Sequence, residues 1–377
     1  MRKQKVFIFT SVHSWYDTRI FRKEACSLAT RYDVEFHAPA SFKFKEAGGV
    51  RIVGLPEWKS VRDRKKIRKI LKRRLRVSDA DIFHFHDPEL IPLGLWIKFL
   101  KRKPVIYDIH EDYHSYIKSK EWIPKLLRLP IASSFYFFEK VTTVFFDTLI
   151  TATPSISSLF RRRNNVYLIS NYPKLESHSV FPVKETDKIK FLYVGSMEEI
   201  RGIYNMARAF ELFIKDNPRE QVELHIAGKL IGNKNYQRSL QALFKLPEIY
   251  FHDFLPFNQV KKMMDNCHIG IIPFLPTPNH LYALPNKLFE YMAAGMVLLT
   301  SDFSLWRSIV LKEKIGWTFN PMKIRSIKES YHQAIKSVKD LKVYGESSFN
   351  LVHQRYNWDT EENKLINIYQ GLLKTVE

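Results

Sequence analysis

Short apolar runs alternate with segments whose apolar positions recur every three or four residues, over nearly the whole chain. The runs at 6–10, 34–37, 82–85, 105–108, 149–151 and 166–169 read as buried strands, and a second series follows at 191–194, 222–227, 249–251, 269–273 and 297–300. Near-continuous apolar strands separated by helical patterns predict α/β architecture, with doubly wound parallel sheets covered on both faces. The polar, proline-bearing segment 171–187 reads as a linker. It divides the chain into domains at 1–170 and 171–357, with a last amphipathic helix in 358–377.

Two stretches depart from this alternation. In 62–76, Ile67, Ile70, Leu71 and Leu75 share one helical face and ten Lys or Arg fill the rest. That is a basic amphipathic helix, either a solvated surface helix or a contact for anionic lipid head groups. The apolar stretches 122–130 and 135–138 read as core, with interfacial contact as the alternative.

Charge sharpens the picture. Residues 1–170 hold 33 Lys and Arg against 17 Asp and Glu, whereas the remainder holds 27 against 22, so the first half carries most of the net +21. Such a field attracts phosphate-rich partners. No nucleic-acid-binding motif accompanies it, so no nucleic-acid partner is expected. Cys26 and Cys267 lack metal-ligand spacing, which predicts a reducing compartment and no metal. Residues 1–10 offer no signal segment and no long uncharged apolar span occurs. The expected location is therefore cytoplasmic, peripheral at the inner face of the plasma membrane.

Chemistry concentrates at strand ends. Pro285-Asn286-Lys287-Leu288-Phe289-Glu290 opens a helix whose first N–H groups point at an anion, while Glu290 stands among apolar neighbours; Gly295 ends the helix before the strand at 297. Gly195-Ser196 follows the strand ending at 194, and Arg201-Gly202 starts the next helix, a loop suited to phosphate. In the first half, Asp108-Ile109-His110-Glu111 and His86-Asp87-Pro88-Glu89 leave strands in the same way. After the first strand, Asp17 and Arg19 are the candidates for acceptor contacts, Asp17 having a helix N-cap as its other reading.

The string from Tyr282 to Asp302 resembles the C-terminal domain of family 4 retaining glycosyltransferases of the GT-B fold. The resemblance implies two Rossmann-like domains facing across a cleft, an acceptor domain followed by a nucleotide-sugar domain, with the last helix crossing back to the first. It implies that Glu290, the second Glu of a Glu-x7-Glu motif, holds the ribose, and that the N–H groups of Asn286, Lys287 and Leu288 hold the diphosphate. Tyr282 stands where the first Glu would fall. Arg201-Gly202 matches the family's basic residue and glycine; Ser196 replaces a usual Arg, for which Lys287 substitutes. His110 matches the histidine near the transferred sugar, while His86, Asp87 and Glu111 shape the acceptor pocket. The first strand's usual glycine pair is absent.

The implied reaction is retaining transfer of a hexosyl unit from a nucleotide diphosphate sugar to a saccharide or polyprenyl-linked saccharide, in bacterial-type polysaccharide or glycoconjugate assembly. It would use no cofactor and no metal, with His110, Arg201 and Lys287 as catalytic groups. A non-hydrolysing nucleotide-sugar 2-epimerase and a catalytically degenerate partner subunit are the alternatives. Base, sugar, linkage and oligomeric state are not encoded in these motifs.

Overall fold

The computed structural model describes residues 3–120, 123–161, 163, 165–175, 180–182, 184 and 187–374. The chain forms two units, Met1–Asn171 with Trp358–Glu377, and Tyr172–Asn357. The first holds β1 (Lys5–Phe9), β2 (Asp33–Pro39), β3 (Phe44–Ala47), β4 (Val50–Leu55), β5 (Ile82–Phe85), β6 (Val105–Ile109), β7 (Thr148–Thr151) and β8 (Val166–Leu168). Their order across the sheet is β3-β4-β2-β1-β5-β6-β7-β8. All neighbours are parallel except β3 and β4. The second unit holds β9 (Ile189–Val194), β10 (Val222–Ala227), β11 (Ile249–His252), β12 (Ile269–Ile272), β13 (Val297–Ser301) and β14 (Gly316–Phe319). They make a wholly parallel sheet ordered β11-β10-β9-β12-β13-β14.

Every strand expected from the apolar runs is present, and β3, β4 and β14 are additions. The β3–β4 hairpin turns through Gly48 and Gly49, both at positive φ, as a two-residue hairpin requires. Its outer strand is largely exposed, so no apolar run announces it.

Alternation along β1 builds two cores. Val6 and Ile8 face one side with Trp358, Leu365 and Tyr369 of the last helix (Trp358–Lys374). Phe7 and Phe9 face the other with Ile67, Leu71 and Leu75 of the basic helix, which runs Val61–Val77 behind a Ser60–Asp63 capping box. Trp358 is fully buried and its indole N–H donates to Ser27 Oγ at 2.9 Å. In the described part of the expected linker, Tyr172 packs edge-on against Phe289 and Lys184 donates to the Ala294 carbonyl at 2.9 Å. It is a packed strap on the second unit.

The stretches expected to be core are not. Trp122 lies outside the described residues and Ile123 is buried, but the helix Lys125–Thr142 that carries most of both stretches buries Ala132, Glu139 and Thr142 while Leu126, Leu127, Leu129, Phe137 and Phe138 are exposed. No helix among the described residues is long and apolar enough to cross a membrane.

Trp358→Ala should destabilise the first unit by about 3–5 kcal/mol, the usual cost of truncating a buried aromatic. Chemical denaturation followed by circular dichroism measures it; a change below about 1 kcal/mol would mean the helix is not integral to that core.

Candidate active site

In the second unit the order of connection reverses between β9 and β12. Ligands of open α/β sheets bind outside the carboxyl ends of strands at such a switch point. There β9 runs into Gly195 (φ +151°) and β10 into Gly228 (φ +143°). A Cβ on Gly228 would lie 1.9 Å from the Gly195 carbonyl oxygen. The two loops therefore meet main chain to main chain, and Gly195 N–H donates to the Ala227 carbonyl at 2.9 Å. The close approach leaves a cavity of about 440 Å³ lined by Gly195, Ser196, Gly228, Lys229, Phe254 and Lys287, among others. That volume lies within the range of roughly 300–1,000 Å³ typical of small-molecule sites.

Lys287 reaches the cavity from the helix Asn286–Ala293. Tyr291 pins this helix to the sheet: its hydroxyl accepts from Val194 N–H at 2.8 Å, and its ring fills the space where a side chain on Gly270 would be. Pro285, expected as the first helical residue, is the cap, and the helix starts one position later at Asn286. Leu288 N–H donates to the Pro285 carbonyl at 3.0 Å and its side chain is core, which corrects the expectation that this amide is available. The amides of Asn286 and Lys287 at the helix mouth lack intrahelical acceptors. Lys287 Nζ lies 2.5 Å from the Glu290 carboxylate, both side chains about one-quarter exposed. Arg201 does not line the cavity; its guanidinium lies over the Phe274 ring at 4.3 Å. Gly202 (φ +71°) packs directly against the Pro273 carbonyl, where a Cβ would approach to 1.9 Å.

In the first unit the sheet reverses between β1 and β5. Asp87, at the end of β5, accepts from Thr10 Oγ1 at 2.7 Å, Ser11 N–H at 2.5 Å and Val12 N–H at 3.2 Å. Glu89 accepts from Ser11 Oγ at 2.8 Å. Carboxylates thus shape the turn after β1, where the family's glycine pair is missing. Asp17 caps the following wide helical turn, Thr18–Ala25, by accepting from Arg19 and Ile20 N–H. It also lies 3.3 Å from His13.

Arg19 is 5% exposed. Its Nε and Nη2 donate to Asp108 at 3.0–3.1 Å, Nη1 donates to the Ile169 carbonyl at 2.7 Å, and Nε lies 3.0 Å from Glu24. This corrects its expected acceptor role, because its donors are spent inside the unit. His86 is likewise fully buried, 3.1 Å from His110 and 3.4 Å from Asp108, and Asp87 is committed to the β1 turn. Neither is placed to touch an acceptor. His110 remains at the surface of this cluster, its Nε2 donating to Asp108 at 3.1 Å and its ring 5.2 Å from that of His13. Glu111 is exposed.

Glu24, His84, His86 and Asp108 bring four donor atoms within 4.8 Å of one another, a grouping with metal-site composition. The Arg19 guanidinium stands against it, 3.0 Å from both Asp108 and Glu24. Burial and the Asp108 charge push the Glu24 carboxyl well above its ordinary range, since adjacent buried carboxylates do not both ionise. Burial raises Asp108 as well, but Arg19 and His110 outweigh it and hold that carboxyl well below the usual range. Burial lowers His86 to about 4 and His84 well below its ordinary value.

Of the expected residues, the structure gathers Gly195, Ser196 and Lys287 at one cavity, with Asn286 and Glu290 on the same helix. It links Asp17, Arg19, His86, Asp87 and His110 in the other unit. It adds Gly228, Lys229 and Phe254, signalled only by the glycine ending the run 222–227, and His13 and Glu24, which nothing in the sequence singled out.

Residues 3–171 match the family described as Glycosyltransferase Family 4, and residues 174–350 match Glycosyl transferases group 1. An uncharacterised glycosyltransferase of Methanocaldococcus jannaschii, MJ1069, is 22% identical over 194 residues, covering 50% of this chain and 47% of that protein. The match therefore spans about half the relative's length. Among solved structures, sucrose-phosphate synthase from Thermosynechococcus elongatus is similar at a TM-score of 0.76 and 14% identity, covering 99% of this chain and 100% of that one. Anabaena HepE follows at 0.68 and 12%, covering 97% and 99%. With both halves matched and the two-unit parallel-sheet fold shared, the chain belongs to the family 4 glycosyltransferases of the GT-B fold.

Proposed function

We propose that the protein is a retaining hexosyltransferase that moves a sugar from a nucleotide diphosphate sugar to a saccharide or polyprenyl-linked saccharide, serving bacterial-type polysaccharide or glycoconjugate assembly. The observation that carries this reading is the glycine-floored cavity at the β9–β10 edge with Lys287 and a helix mouth beside it. HepE has been solved with UDP-glucose, which supports a nucleotide-sugar ligand here. Main-chain approach at Gly195 and Gly228 and the amides of Asn286 and Lys287 suit a diphosphate. The exposed rings of Phe254 and Phe257 suit a base. Glu290 suits the ribose hydroxyls.

The Lys287–Glu290 pair gives the site a built-in exchange. An entering diphosphate competes for the ammonium group, and Glu290, once released, is an acceptor for the ribose. Negative charge then grows on the departing diphosphate, and Lys287 and the helix amides stabilise it by preorganised electrostatics. The leaving phosphate oxygen takes the acceptor proton on the same face, so no side-chain nucleophile and no metal are needed. On the acceptor side His110 positions the reacting hydroxyl or sugar, with Asp17, Glu111 and His13 as hydrogen-bonding partners. Membrane attachment at an anionic inner leaflet, through the basic helix and its surroundings, suits a lipid-linked acceptor.

A thermal-shift screen against UDP, GDP, ADP and CMP should give one clear responder, since ligand at about 100 times its dissociation constant stabilises by about 2.7 kcal/mol. Lys287→Ala and Glu290→Ala should each lower kcat/KM for transfer by about a hundredfold or more while the fold is kept. Unchanged kinetics in both would sink the donor-site assignment. Analysing products with and without acceptor separates transfer from 2-epimerisation.

Chelation should leave transfer intact; loss in EDTA, restored by magnesium or manganese, would mean that an ion and not Lys287 meets the leaving group.

The acceptor side also makes a pH prediction. Burial opposes charging of the His13 ring, but its bond to Asp17 and the charges of Asp87 and Glu111 outweigh burial and raise its pKa. The charged ring therefore contributes stability that is complete below about pH 6.5 and fades as pH rises through the raised value. His13→Gln should melt below the parent at about pH 6 and converge with it at about pH 9. Equal gaps at both pH values would show that His13 does not carry the charge.

A further inference from the structure

Helix Lys125–Thr142 is inside out. Its inward face offers Glu139, which accepts from the Tyr107 hydroxyl at 3.0 Å, together with Ala132 and Thr142. Its outward face is apolar: Leu126 is 91% exposed and Phe137 70%, and these two lie in line with Pro130 and Val141 at spacings of four and seven residues. The surface continues past the helix end. The ring of Phe145 meets that of Phe99 at 5.2 Å, and Leu100 beside it is 69% exposed. Lys101 then donates to the Leu75 carbonyl at 2.7 Å, so the same surface runs into the end of the basic helix Val61–Val77.

The rim of this apolar face is basic. Lys125, Arg128 and Lys140 stand on the helix, and Lys98, Lys101, Arg102 and Lys103 on the adjoining segment. Glu139 is the only acid on the helix, and it is buried; on the adjoining segment Asp147 takes Lys98 at 2.6 Å and Asp81 lies 3.6 Å from Lys103, so the positive excess of this rim rests mainly on Lys125, Arg128, Lys140 and Arg102. A contiguous apolar patch with a polar rim marks an interaction surface. A second copy of the chain would bring one basic rim against another, whereas an anionic bilayer complements the rim and accepts the apolar centre.

We propose that this face docks on an anionic lipid bilayer, with Leu126, Leu129, Phe137, Val141, Phe99 and Leu100 entering the head-group–acyl boundary and the flanking Lys and Arg meeting the head groups. It rests on the membrane part of the proposed function and adds that attachment is by apolar insertion and not by charge alone. Of the ten cations in the basic helix, Arg64 is held by Glu89, Lys66 lies 3.7 Å from Asp63, and Arg74 is held by His37 and the Gly54 carbonyl. The remainder serve as the electrostatic margin of the docking face.

The test is co-sedimentation of the full chain with vesicles of phosphatidylcholine and phosphatidylglycerol, and with phosphatidylcholine alone. The parent should pellet with the anionic vesicles and remain partly bound at about 1 M salt, where charge is screened within about 3 Å. A Leu126→Ser, Leu129→Ser, Phe137→Ser triple variant should bind at least about tenfold more weakly, with its melting temperature and nucleotide-induced thermal shift unchanged. A parent that ignores anionic vesicles at low salt, or a triple variant that pellets as well as the parent, overturns the proposal. So does a vesicle-free dimer that the triple variant dissolves. Failure of the transferase reading would show separately, as absent nucleotide response with vesicle binding intact.

Discussion

The first unit is organised around a guanidinium removed from water. Burying Arg19 costs several kcal/mol, and such a cost is offset only by excellent geometry and satisfied hydrogen bonds. Asp108 supplies the fork, and the Ile169 carbonyl takes another donor, so the ends of β6 and β8 and the helix after β1 meet at one side chain. The consequences run outward. The Asp108 carboxyl is held low, burial and the Asp108 charge push Glu24 up, and burial lowers His84 and His86 beneath the surface. A carboxylate only accepts, so His110 presents Nε2–H to Asp108 and turns Nδ1 away from it. The buried pair thereby fixes how the His110 imidazole is displayed.

The second unit reaches its binding chemistry by the opposite route. It removes side chains so that backbone comes close to the ligand space. Gly195 and Gly228 touch, Gly202 touches Pro273, and Gly270 makes room for the Tyr291 ring that pins the helix carrying Lys287 and Glu290. The latter two side chains bring opposite charges to the helix mouth and pair with each other, while Lys229 adds a further ammonium group to the cavity lining. Dipoles held in place by packed main chain need no reorganisation to meet a charge.

This contrast explains what the sequence disclosed. Strands buried on both faces announce themselves as apolar runs, and all those runs became strands. A glycine at a strand end announces main-chain approach, which made Gly195 legible and would have served equally for Gly228. Arg19, His86 and Asp87 were recognised as special and given the wrong task, because residue type and position at a strand end do not distinguish a group facing ligand from one holding the loop that does. That distinction is set by partners far along the chain, such as Asp108 for Arg19. The Pro285 cap and Gly295 terminus are local, and they fell within a residue of expectation.

Helix Lys125–Thr142 fails for a different reason. Reading apolar periodicity as core assumes that whatever lies opposite the core is water. Here the sheet below presents the Tyr107 hydroxyl, which needs an acceptor, so Glu139 must point inward and burial raises its pKa to about 7 despite the Tyr107 bond. With the inward positions given to Ala132, Glu139 and Thr142, the Leu and Phe side chains have no place but outside. Burying polar groups while exposing large apolar ones is unfavourable on both faces in water alone. An apolar surrounding would reverse that balance, so an apolar pattern alone does not say which face of a helix is the core.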